Sequence, residues 1–414
     1  MLRVLSTPAL FSLELTPLCN SRCPGCFNVF VADKRTRSGP LMQRPPLSFE
    51  QWRTILDRLV PHAHRFKLTG GEPTLHPEFE AIVGHIRGLG TSLTVFTNGR
   101  WTNPESVLDA LARTPNLTGL LISLHGAYAA SHEVFSGVPG SFDETVANVR
   151  RAVAAGISVT LSTVLHRANL GELAAVVALA ESLGTDHVVF NRYLGPSVPG
   201  IAITDVQLMQ ATHTVDTMRE QGQPVTFGVC IPQCFTPSSS TGCLAGVAFC
   251  AVDPWGNLRP CNHSPLTAGN LLSGTLEKAW HSPEMERFRQ AIPKACHTCT
   301  AFSTCHGGCR ALAMELNLPG DPLMVGPLRE FGPPPPVQMG RNWRPLRRFE
   351  MRQEPFGLVL MRGNTFFAVR PEATPILDCL DGTHTLGELE HECAPAALSL
   401  IGELFRRNMI EMIA

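Results

Sequence analysis

The run FSLELTPLCNSRCPGC at residues 11–26 decides how the rest of the chain is read. FSLELT (11–16) is a short apolar run that stops at Pro17, and it reads as a buried strand. Cys19, Cys23 and Cys26 follow as C-x3-C-x2-C, which puts three thiols in one loop at that strand's C-terminal end. Five more runs repeat the strand reading, at 65–71, 92–99, 119–126, 157–165 and 187–193. Helix-length segments alternate with them, among them 48–60 and 141–156. In the second, Ser141 is the expected N-cap, Glu144 follows three residues on, and Gly156 is the stop. Six strands alternating with helices predict an α/β fold with parallel pairing through right-handed crossovers, as a barrel or a doubly wound sheet. In either, functional residues belong at the C-terminal ends of the strands.

The chain has 414 residues, a formal net charge of −1, 44% hydrophobic residues and 17% charged ones. That is enough for two or three domains with real cores. It excludes a disordered chain and argues against a nucleic-acid partner held by bulk charge. No apolar run approaches a membrane span, and the first residues lack a signal-peptide core, so a cytoplasmic protein without membrane attachment is expected. Fourteen cysteines in a long chain of this kind favour metal ligation over disulfides. Three lie at 19–26, nine between Cys230 and Cys309, and two near the end, which suggests separate sites. From about 216 to 328 periodicity fades while Cys, Gly and Pro rise, the texture of a segment that needs metal in place of a core. FGPPPPVQMG at 331–340 reads as a stiff linker. Beyond it, a hairpin around Gly363-Asn364, three short helices and a closing strand at MIEMI are expected.

Three thiolates in one loop can hold three irons of a 4Fe–4S cluster and leave the fourth open to a substrate. A structural zinc loop with one remote ligand stays open on spacing alone. CNSRCPGC after a strand resembles the signature loop of radical S-adenosylmethionine (SAM) enzymes. Other strand ends match the same family. Gly70-Gly71-Glu72 resembles its Gly-Gly-Glu motif, which implies that Glu72 meets the ammonium of the cofactor's methionine. Asn98 in Thr97-Asn98-Gly99 and Ser123 fall where relatives bind ribose and carboxylate, and Arg192 is a further carboxylate contact or a structural ion pair. Many relatives carry an aromatic residue before the third cysteine, whereas this chain has Gly25 there and Phe27 after it. His125 stands where an acidic residue is common, as a ribose contact, a proton donor or a bystander. The resemblance implies a partial (β/α)6 TIM-like barrel over residues 1–215, with SAM and a 4Fe–4S cluster as cofactors. It also implies an electron donor such as flavodoxin or ferredoxin.

The later cysteines, with Gly256-x4-Cys261 and C-x2-C-x5-C-x3-C at 296–309, resemble the SPASM extension, which implies two auxiliary 4Fe–4S clusters within 216–330. By that resemblance Cys243, Cys250, Cys261 and Cys309 hold the first. Cys296, Cys299 and Cys305 begin the second. Its fourth cysteine is missing downstream, where Asp321-Pro322-Leu323-Met324 stands instead. An iron that is open, Asp-ligated or substrate-ligated is the expectation, because a thioether is a weak ligand. Cys230 and Cys234 read as spare ligands, reactive thiols or small core residues, and Cys379 and Cys393 as core residues.

Residues 341–414, with Leu380-Asp381-Gly382, resemble the small winged-helix domain related to the pyrroloquinoline-quinone peptide chaperone. That implies recognition of a leader peptide, added as a strand along Thr365–Arg370. The combined expectation is a maturase that abstracts hydrogen from a ribosomally made precursor peptide, with thioether or carbon–carbon crosslinking favoured because auxiliary clusters can take up electrons. Epimerisation, backbone cleavage and sulfatase-type maturation are the enzymatic alternatives. An iron–sulfur scaffold or redox-sensing regulator is the non-enzymatic one.

Overall fold

The computed structural model describes residues 2–26, 28–30, 43–195, 197–228, 231–239, 242–327, 339–392 and 396–413. The linker reading at 331–340 falls almost wholly outside them, as do Phe27, Cys230 and Cys393. The chain divides into two compact units, Met1–Arg329 and Glu330–Ala414. Among the described residues no helix is long and apolar enough to cross a membrane.

In the first unit seven strands pair in parallel in chain order: β1 (Leu10–Glu14), β2 (Arg65–Thr69), β3 (Ser92–Thr97), β4 (Leu117–Ser123), β5 (Val159–Val164), β6 (His187–Asn191) and β7 (Val225–Phe227). Six are those expected; β7 has three residues, too few to show a period. β8 (Phe249–Val252) pairs in parallel with the other edge of β1, and β9 (Asn257–Arg259) and β10 (Gly269–Asn270) follow antiparallel. The sheet therefore runs β10-β9-β8-β1-β2-β3-β4-β5-β6-β7 without its two ends meeting, a partial barrel. Strands β8 to β10 come from the cysteine-rich segment, so that segment is built onto the barrel's own sheet.

Helices α1 (Phe49–Leu59), α2 (Phe79–Leu89), α3 (Pro104–Ala112), α4 (Ala129–Ser136), α5 (Ser141–Ala154), α6 (Leu173–Ser182) and α7 (Asp205–Glu220) connect the strands. Apolar stripes such as Trp52, Ile55, Leu56 and Leu59 of α1 pack on the sheet, with Phe11, Leu13, Phe66 and Leu68 in the same core. β1 is buried at every residue because both its faces are covered. Ser141 is not the N-cap of α5: Gly140, left-handed at φ 78°, takes that position, and Ser141 pairs its hydroxyl with Ser136 at 2.6 Å.

The second unit holds β11 (Arg344–Arg347), β12 (Glu350–Glu354), β13 (Gly357–Arg362), β14 (Thr365–Val369) and β15 (Ile410–Ile413). β12, β13 and β14 form a three-stranded antiparallel sheet, and β11 pairs with β15. The hairpin turns at Gly363-Asn364, with Arg362 opposite Thr365 and Gly363 at φ 60°. Helical segments at Thr374–Asp378, Leu386–Glu392 and Ala396–Arg406 surround a core that includes Leu360, Leu377, Leu389 and Ile401. β14 is an edge strand, and the Arg407 guanidinium lies 4.5 Å from the Phe367 ring.

Candidate functional site

The loop after β1 is tied to the ends of β2 and β3. Gly71 N–H donates to Thr16 O at 2.7 Å and Glu72 N–H to Leu18 O at 2.7 Å. These contacts explain the two glycines. Gly70 has φ 145°, and a Cβ on Gly71 would stand 2.0 Å from Leu18 O. The approach they permit is to the cysteine loop's own backbone. Asn98 Nδ2 donates to Asn20 Oδ1 at 2.7 Å and to Ser21 Oγ at 3.2 Å, and lies 3.6 Å from Cys19 Sγ. Arg100 Nη1 donates to Asn20 O at 2.6 Å, and Cys26 N–H to Cys23 O at 3.1 Å. Cys19, Cys23 and Cys26 are each partly exposed.

Glu72 is fully buried. Its carboxylate accepts from Thr74 Oγ1, Thr97 Oγ1 and Asn98 N, each at 2.7 Å, and from Thr74 N at 3.3 Å. Burial raises its pKa against the pull of those donors. Four donors engage the carboxylate, so in this structure Glu72 braces the ends of β2 and β3.

Arg192 forms the structural ion pair, one of its two expected roles. Its guanidinium donates to both oxygens of Asp321, at 2.9 and 2.5 Å, and both side chains are buried. Asp321 also accepts from Cys309 N at 2.6 Å and Leu323 N at 3.0 Å. With both oxygens so engaged, Asp321 is not presented to a cluster. Ser123 ends β4, partly exposed. His125 is buried: its N–H donates to His132 Nδ1 at 3.0 Å, its Nδ1 accepts from Val164 N at 3.2 Å, and its ring lies 4.4 Å from Phe135. Burial lowers the pKa of His125, His132 and His166, with His132 brought down to about 4. The three rings are tied to one another and to Phe135 by hydrogen bonds and ring contacts.

Gly25 carries a signal the sequence did not show. A Cβ there would lie 2.0 Å from the Tyr193 ring, so the loop after β6 fills the place of a side chain at 25 with an aromatic from elsewhere. Tyr193 packs on Phe135 at 6.3 Å, and burial pushes its phenol up to about 12.

The later thiols form two groups. Cys243, Cys261 and Cys309 belong to one apolar cluster with Leu194, Ala245 and Phe288, and Phe249 packs against it. Burial pushes Cys261 up to about 12, and Cys243 and Cys309 add like charge; burial and then Cys243 push Cys309 up to about 11. Cys250, expected as their fourth member, is not with them. It follows Phe249 on β8, so its side chain leaves by the opposite face, where it is wholly buried in the barrel core opposite Phe11. Burial alone raises its thiol.

In the second group, Cys296, Cys299, Cys305 and Met324 line one cavity together with Cys234. Burial and the neighbouring thiols push Cys296 up to about 11. Mutually repelling thiols that are wholly or partly buried ionise at little cost only where a cation compensates them, and an all-sulfur donor set in apolar surroundings suits iron–sulfur clusters. Both groups therefore fit such clusters. Among the described residues no three His, Cys, Asp or Glu side chains close on the spacing of a single metal ion.

Sequence reasoning named no acid or base. The structure draws attention to Lys67 on β2, half-buried, with Nζ donating to Asn262 Oδ1 at 3.1 Å and lying against the Phe96 and Phe249 rings at 4.6 and 5.0 Å. Burial pulls its ammonium down to about 8. Asn262 also donates to Glu14 Oε1 at 2.9 Å, and Glu14 is paired with the buried Arg259. Lys67 thus stands in a polar network with Asn262 and Glu14, next to the Cys261 segment. The hint was a lysine in a strand that otherwise reads as buried.

The family model for the radical SAM superfamily matches residues 13–180, and that for the iron–sulfur cluster-binding SPASM domain matches 243–300. The chain is 30% identical over 337 residues to mycofactocin maturase MftC of Mycobacterium tuberculosis, covering 77% of this chain and 82% of that protein. It is 25% identical over 339 residues to the AdoMet-dependent heme synthase of Methanosarcina barkeri, covering 76% and 94%. Among solved structures, Streptococcus suis SuiB bound to its precursor peptide SuiA superposes with a TM-score of 0.65 at 18% identity, over 78% of this chain and 77% of that one. The chain belongs to the radical SAM superfamily and carries a SPASM domain that binds auxiliary iron–sulfur clusters.

Proposed function

From that membership, we propose that this enzyme is a peptide maturase that abstracts hydrogen from a residue of a ribosomally made precursor, with crosslinking as the first choice. The kinship with mycofactocin maturase over most of both chains supports this reading most strongly. The cofactor and clusters, when bound, supply a 5′-deoxyadenosyl radical and a sink for the electron left on the peptide. Cys19, Cys23 and Cys26 would hold the SAM-binding cluster, on a loop braced by Gly70, Gly71, Glu72 and Asn98. Ser123 and Tyr193 would border the cofactor. Cys243, Cys261 and Cys309 would hold one auxiliary cluster, and Cys296, Cys299 and Cys305 would contribute to another. Residues 1–215 would form the radical domain, 216–330 the auxiliary-cluster domain, 331–340 the linker and 341–414 the leader-binding domain.

The leader would add its backbone to the β14 edge, which raises the effective concentration of the modified segment at the active site. A flavodoxin or ferredoxin would deliver electrons in the cytoplasm. The heme-synthase relative favours a second reading, a small-molecule substrate; the sheet edge of the C-terminal unit favours a peptide. The test is a mass spectrum after anaerobic reaction, in D2O, of reduced enzyme and SAM with a short precursor peptide encoded beside the gene. Loss of two hydrogens is expected for a crosslink. A gain of one deuterium would mean epimerisation. An unchanged peptide beside full 5′-deoxyadenosine would overturn the peptide assignment.

A further inference from the structure

We propose that Cys234 is the fourth thiolate of the second auxiliary cluster, closing it with four sulfurs, three from 296–305 and one from far upstream. This rests on the reading that Cys296, Cys299 and Cys305 hold a cluster at all. Cys234 lines the same cavity as those three thiols. Its loop is anchored there by its neighbours. Gln233 Oε1 accepts from Thr304 Oγ1 at 3.0 Å, and Gln233 Nε2 donates to Ser239 O at 2.6 Å. Gln233 and Thr304 each stand next to a cysteine of the set, so this hydrogen bond ties the Cys234 turn to the Cys305 segment. The turn itself closes through Phe235 N–H and Thr236 N–H to Pro232 O, at 2.9 and 3.0 Å.

The competing ligands are weaker. Asp321 is committed to Arg192 and to the Cys309 and Leu323 amides. Met324 offers a thioether, a poor ligand beside a thiolate. The next described cysteine downstream, Cys379, packs against the core of the other compact unit. A four-thiolate set has no open iron, so this cluster would carry electrons and bind no substrate. The expected open or Asp-ligated iron is thereby replaced.

The experiment compares iron and sulfide content and Mössbauer and EPR spectra of anaerobically reconstituted wild-type, Cys234→Ala, Cys305→Ala and Met324→Leu full-length proteins. Cys234→Ala and Cys305→Ala are both expected to lose the same cluster, or to reduce it to a three-iron form, while the signals of the other clusters persist. Met324→Leu is expected to keep full iron. Retention of full iron and an unchanged spectrum in Cys234→Ala, with loss in Cys305→Ala, would overturn the role of Cys234 alone. Wild-type protein whose iron and spectrum are untouched by Cys305→Ala would overturn the underlying cluster reading instead. A second measurement needs no variant: in the wild-type holoprotein Cys234 should resist alkylation and become labelled after iron chelation. Rapid labelling before chelation would overturn the proposal.

Discussion

The chain builds thiol groups in two ways. At residues 19–26 one short loop carries all three cysteines, and hydrogen bonds from Asn98 and Arg100 and the close approach of Gly71 hold it on the ends of β1, β2 and β3. At residues 296–305 the thiols sit on short turns, and the group is completed by Cys234 from the loop after β7. The first group is written in a local motif and supported by a sheet; the second is assembled by tertiary contacts. A rigid frame suits a site that must orient a radical precursor within fractions of an ångström. A cluster that only passes electrons needs less exact placement.

The largest effect should come from the first region. Replacing any one of Cys19, Cys23 and Cys26 by Ala should abolish 5′-deoxyadenosine formation, measured chromatographically, while the auxiliary iron remains. If formation survives, the loop is not the cofactor site. Next is the joint between the barrel and the Cys309 segment. Asp321→Ala leaves Arg192 as a buried, uncompensated charge, which should cost about 3–5 kcal/mol in anaerobic denaturant unfolding. An unchanged unfolding curve would show that Asp321 does not anchor that segment. Gly71→Ala forces a methyl onto Leu18 O and should cost about 1–3 kcal/mol, with faster iron loss from the first cluster only. Equal loss from all clusters would blur the contrast between the regions.

A pH series separates the barrel from both thiol regions. His132 is held down to about 4 by burial, so between its ordinary 6.5 and that value the unfolded chain binds a proton that the folded one excludes. Stability from this group is therefore complete above about pH 6.5 and falls as the pH drops, by at most about 1.4 kcal/mol per unit. His132→Asn should reduce that slope in thermal melts between pH 7 and 5, leaving the part that His125 and His166 contribute. The smallest effect belongs to Cys250→Ala: unchanged iron and a stability loss of about 1 kcal/mol. Loss of a cluster there would return Cys250 to the ligand set.

The legibility of the sequence follows the same divide. Six strands were readable because each is an apolar run ended by a turn, and the three-cysteine loop because its ligands are neighbours. β7 and β8 escaped notice, one being only three residues long and the other hidden among cysteines. Cys250 misled because spacing does not show which face of a strand a side chain leaves. Asp321 and Arg192 carried plausible ligand chemistry, yet each neutralises the other, and a pairing between residues 129 apart leaves no local trace. Lys67, Tyr193 and Cys234 acquire meaning only from what lies against them.

The most direct measurement needs no knowledge of the substrate: 5′-deoxyadenosine from the fully iron-loaded, reduced enzyme given SAM alone under anaerobic conditions. Slow but sustained formation, eliminated in Cys19→Ala and persisting at a reduced level in Cys305→Ala, is the result expected of a radical enzyme whose first thiol group is catalytic and whose second is auxiliary. No 5′-deoxyadenosine from protein with all its clusters in place would contradict it and leave an iron–sulfur scaffold or sensor.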